Sequence, residues 1–152
     1  MSLNPVHATR PRITDAWTPS QLEHLDALVA ACALVSHADG WVTAEERARM
    51  LERMRGLAVF AVFGVEDALE AFEALDQRFE QDPDAARFEA EMAVRRLRGR
   101  DDAARVVVNA ACAVAGADGG FDAEERDALL RVCKLLGLDP IQFELITARG
   151  PR

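Results

Sequence analysis

A chain of 152 residues that is half hydrophobic can bury roughly 70% of its unfolded surface in one domain, and it is too apolar to be disordered throughout. Its formal charge of −8 and pI of about 4.9 set it against nucleic acid and anionic lipid, and toward cations or basic proteins. Nine aromatic residues, no Tyr and abundant Ala predict a core of small side chains, which suits closely packed helices.

Met1 to Trp17 carries two prolines and no periodicity, and predicts a flexible N-terminal arm ahead of a single domain over 18–149. Thr18-Pro19-Ser20-Gln21 is a capping box with Pro at the first helical position, opening a helix to about Ser36. Thr43-Ala44-Glu45-Glu46 opens a second, which Gly56 should end. Leu69, Phe72, Leu75 and Phe79 recur at helical spacing and predict a third over Glu66 to Gln81. Asp82-Pro83 caps a fourth that Gly99 stops, Asp101 begins a fifth, Asp122 caps a sixth ending at Gly137, and Asp139-Pro140 starts a short seventh. The result is an all-α, compact bundle of about seven helices.

The basic run RRLRGR, Arg95 to Arg100, reads as a helix C-terminus whose cations meet the negative end of the dipole. Cys32, Cys112 and Cys133 lie among apolar neighbours without CxxC spacing, which predicts buried free thiols in a reducing compartment. No signal-like opening is present and no apolar run approaches the ~18 residues of a membrane span. The expectation is a cytoplasmic protein with no membrane insertion and no nucleic-acid partner.

ADGWVTAEER, Ala38 to Arg47, returns as ADGGFDAEER, Ala117 to Arg126, with seven of ten positions identical at a constant offset of 79. Each copy joins two predicted helices, so the bundle is expected to contain two related helical hairpins packed about an approximate two-fold axis. Within each copy a loop aspartate and a glutamate seven residues later can meet at the hairpin mouth: Asp39 with Glu46, and Asp118 with Glu125. Glu45, Asp122 and Glu124 supply further oxygens nearby. Oxygen-only donors point to Ca²⁺ or Mg²⁺ over Zn²⁺. The back half of an EF-hand loop fits this spacing, but its front half would need ligands where Val35 and Val114 stand. Against ion holding stands capping: Glu46 behind Thr43 and Glu125 behind Asp122 occupy the third helical position, where a capping box wants a carboxylate. His37 beside Asp39 reads as an exposed partner of the helix dipole before it reads as a ligand.

The doubled ADG-x-[apolar]-x-x-x-E motif, each copy inside an Ala-rich hairpin, with LLGLDP over Leu135 to Pro140, resembles the TerB tellurite-resistance family over about Pro19 to Ala148. The resemblance implies an all-helical fold, acidic residues that bind divalent metal, and work in bacterial stress responses beside membrane-associated protein partners. On that pattern the acidic positions are Asp39, Glu46, Asp118 and Glu125, with His37 and Trp41 flanking the first copy where Gly116 and Gly120 flank the second. The expected function is a non-enzymatic, divalent-cation-binding helical module. The alternatives are a metal-free acidic adaptor for protein partners, co-chaperone-like though without a J-domain's HPD signature, and, ranked last, metal-dependent hydrolysis. Oligomeric state leaves no trace in the sequence.

Overall fold

A computed structural model describes residues 18–40, 42–115 and 121–145. The arm expected over 1–17, residues 146–149 of the expected domain, Trp41, Asp118, and Gly116 and Gly120 lie outside the described residues. Within them the protein is all-helical: α1 (Pro19–Ser36), α2 (Ala44–Gly56), α3 (Ala58–Phe63), α4 (Val65–Gln81), α5 (Pro83–Arg95), α6 (Asp101–Ala115) and α7 (Ala123–Leu136), followed by a 3-10 turn, Pro140–Phe143.

Most helix ends follow from local chemistry. Thr18, Thr43 and Asp122 each close a reciprocal capping box with Gln21, Glu46 and Glu125. Gly137 ends α7 in the left-handed conformation at φ 73°, where a Cβ is disfavoured. Three expectations change. The short α3 is added, because Phe60 and Phe63 reach the core although no side chain caps the helix start. α5 stops at Arg95, four residues before Gly99, since a run of tight turns (Leu97 N–H to the Val94 carbonyl, Arg98 N–H to that of Arg95) swings Leu97 into the core. The expected seventh helix is the 3-10 turn.

The centre of the bundle is α1, buried at every position from Ala27 to Ser36, as a helix surrounded on all sides must be. It packs most closely on α5 and α6, then on α4 and α7. Twelve of the buried residues are alanines, and side chains this small let the neighbouring helices approach α1 closely. Of the basic run, Arg95 stands in the last turn of α5 as expected, whereas Arg98 and Arg100 serve other helices. Arg98 donates to the Lys134 and Leu135 carbonyls at the C-terminus of α7, and Arg100 reaches Ser20 and Glu23 near the N-terminal end of α1. Cys32 and Cys133 are fully buried, and burial pushes each thiol up to about 12. Cys112, expected to be buried, is only half-buried, and its thiol is still pushed up to about 11. Thiols this weakly acidic are inert at neutral pH. No helix among the described residues is long and apolar enough to cross a membrane.

Candidate metal site

The end of α1 and the start of α2 form one hairpin mouth, and the end of α6 and the start of α7 form the other. Because α6 packs beside α1 and also against α2, the two mouths open onto shared space. That space is a cavity of about 150 Å³ walled by Asp39 and Glu46 of the first hairpin, Asp122 and Glu125 of the second, and Arg49 and Arg53 of α2. Val35, Met50 and Ala115 contribute apolar wall.

Each carboxylate reaches this wall by a local device. Asp39 sits in a tight turn in which the Gly40 N–H bonds to the His37 carbonyl at 3.2 Å. Gly40 has φ 106°, a conformation that L side chains resist. Glu46 is held by its capping box: its Oε1 accepts from the Thr43 hydroxyl at 2.9 Å while its own N–H donates back to Thr43 Oγ1 at 3.1 Å. In the second box the Asp122 N–H donates to Glu125 Oε1 at 3.1 Å, and the Glu125 N–H donates to Asp122 Oδ1 at 2.7 Å. The boxes therefore use one oxygen of each glutamate, and both residues also line the cavity. Capping and ion holding are not exclusive at these positions.

The charges sense one another across the hairpins. Burial pushes the Glu125 carboxyl above its ordinary value, and the nearby Asp122 and Asp39 carboxylates push the same way, against the Asp122 backbone bond and Arg53. Arg53, from α2, donates to the Val114 carbonyl at 2.7 Å and so ties α2 to the C-terminal end of α6, where helix carbonyls lack partners of their own.

Asp39, Glu46 and Glu125 are thus brought together, and Asp122, expected at second rank, joins the same wall. Asp118 lies outside the described residues. Glu45 is exposed and takes no part in the wall. Glu124 faces away, into a neighbouring cavity of about 260 Å³ shared with Arg87, Asp127 and Arg131, because α7 turns successive side chains by about 100°. His37 is a further correction. It is buried, not exposed, and its Nε2 lies 2.6 Å from Asp76 Oδ1. Arg49 and Arg53 were not expected in the wall, although both lie on the Glu46 face of α2 at helical spacing.

The wall offers carboxylate oxygens at the junction of two hairpins, the donor type that hard cations prefer. Among the described residues, however, no three His, Cys, Asp or Glu side chains are grouped so that they could hold a metal ion directly. A cation that keeps much of its water, as Mg²⁺ does, needs only one or two carboxylates in direct contact.

A family model described as tellurite resistance protein TerB matches residues 25–148, a span that contains the whole cavity. Searches of curated proteins and of solved structures find no match.

Proposed function

Since the chain belongs to the family of tellurite resistance protein TerB, we propose that it is a non-enzymatic stress-response module whose acidic cavity takes up a hydrated divalent cation, Mg²⁺ or Ca²⁺ in preference to Zn²⁺. The observation that supports this is the meeting of Asp39 and Glu46 with Asp122 and Glu125 in one wall, contributed by both hairpins. Asp39, Glu46 and Glu125 would hold the ion through its water, and Asp122 would add negative potential. The ion would supply a positive charge that relieves the carboxylates and joins the two mouths. The surface so fixed would face a protein partner, membrane-associated as in the resemblance noted above.

Calorimetric titration of chelator-treated protein with Mg²⁺, Ca²⁺ and Zn²⁺ tests this. Binding of the first two is expected, with Glu46→Gln and Glu125→Gln each weakening it. Absence of heat and of any melting shift with all three ions would overturn the reading.

A second reading has its own support in Arg49 and Arg53, which already neutralise part of the wall. On it the site is a metal-free acidic adaptor for a basic protein. Binding of such a partner would weaken steeply with salt and ignore chelator.

A further inference from the structure

The buried carboxylate of Asp76 lies outside the cavity, yet it touches both arms of the first hairpin. Asp76 is on α4, 1% exposed, 39 residues from His37 and 29 from Arg47. Its Oδ1 lies 2.6 Å from His37 Nε2, and its Oδ2 accepts from Arg47 Nη1 at 2.9 Å. His37 stands two residues before Asp39 at the end of α1, and Arg47 immediately follows Glu46 in α2. The His37 ring also stacks on Phe79, one turn along α4, with centroids 4.3 Å apart and planes within 4°. One side chain of α4 therefore grips the end of α1 by one oxygen and the start of α2 by the other. A scaffold that needed only packing would be served at least as well by an apolar residue here, because burying an ion pair is costly.

We infer that Asp76 is a positioning residue that fixes the spacing of Asp39 and Glu46, and thereby sets how tightly the cavity holds a divalent cation. The inference rests on the cation-binding reading above. The mechanism is preorganisation: with both arms pinned, the first mouth does not have to be ordered when the ion arrives. The second hairpin is secured otherwise. Arg126, 79 residues after Arg47, donates to the Leu145 carbonyl at 2.8 Å, and Gly116 stands at the position equivalent to His37.

Arg47 is the residue to change, since its side chain is 41% exposed and can be replaced without opening the core. The experiment titrates the full chain, freed of metal by chelator, with MgCl₂ and CaCl₂ in a calorimeter, and records a melting curve for each protein. Arg47→Met is expected to stay folded, to keep the binding stoichiometry and to lose affinity by roughly 10–100-fold, the usual effect of removing a group that orients a ligand. Arg47→Lys, which can still donate to Asp76, should recover part of that loss. Arg78→Met removes an ion pair between α4 and Glu89 away from the mouth, and should lower stability without touching affinity. His37→Phe, which keeps the stack on Phe79 and releases the other arm, should weaken binding as Arg47→Met does. Wild-type binding with equal affinity in both arm variants would overturn the inference and leave the cation reading standing. No binding by the wild type would overturn both.

Discussion

Glu125 is a carboxylate whose ionisation the fold resists. Burial first, then Asp122 and Asp39, hold its folded pKa above the ordinary value. The folded state therefore keeps this proton more tightly than the unfolded chain does, and stability falls as pH rises from the ordinary carboxylate range through the raised value. Above the raised value that loss is fully present, and below both values it is absent. Glutamine keeps an Oε1 for the Asp122 N–H and serves in a capping box. Glu125→Gln is accordingly expected to raise the chelated protein's Tm at pH 7 by roughly 1–3 °C. Near pH 3, about where carboxylates are protonated, the gain should vanish; an equal gain at both pH values would refute an electrostatic origin. The same reasoning makes Asp39→Asn lower the Glu125 pKa, which a carboxyl-carbon NMR titration reads directly. An unmoved titration would show that the two hairpins do not share a field.

At the scale of the element, the caps allow the two roles of the acidic turns to be separated. Thr18→Ala breaks a capping box remote from the cavity and is expected to cost about 1 kcal/mol, lowering Tm by about 2–4 °C, with the cation response intact. Thr43→Ala should cost as much and also weaken that response, because Glu46 Oε1 loses the hydroxyl that aims it. Melting curves with and without MgCl₂ decide, and equal cation responses in the two variants would mean that Glu46 is a cap alone. Caps are also the part of the fold most legible in the sequence. Thr18, Thr43, Asp122 and Gly137 act on backbone groups within four residues, so the text around each is enough. α3 was not legible: six residues without a cap hydrogen bond carry no helix signal, and only burial of Phe60 and Phe63 makes them helical. Of the candidate site, Asp39, Glu46 and Glu125 could be read from spacing. The grip of Asp76 on His37 and Arg47 could not, because it spans 39 and 29 residues and no periodicity encodes it.

For the whole molecule, 26 acidic against 18 basic side chains mean that any salt relieves some self-repulsion. A cation effect on melting is therefore informative only beyond that background. At matched ionic strength NaCl and MgCl₂ screen alike, with a screening length of about 10 Å near 0.1 M, whereas a bound ion adds about 2.7 kcal/mol at a hundred times its Kd. The excess of MgCl₂ over NaCl is the signature of a site. It also depends on the core, since the cavity exists only where the end of α1 and the end of α6 arrive side by side. Ala111 is fully buried one turn before Ala115, which lines the cavity. Ala111→Leu inserts bulk where the packing is built from alanine, and is expected to cost about 1–3 kcal/mol. If alanine packing sets the distance between the two mouths, this variant should lose most of the MgCl₂ excess while remaining helical by circular dichroism. A variant equally destabilised but with the full excess would show that the carboxylates find their ion independently of helix spacing, and that the small-residue core serves compactness alone.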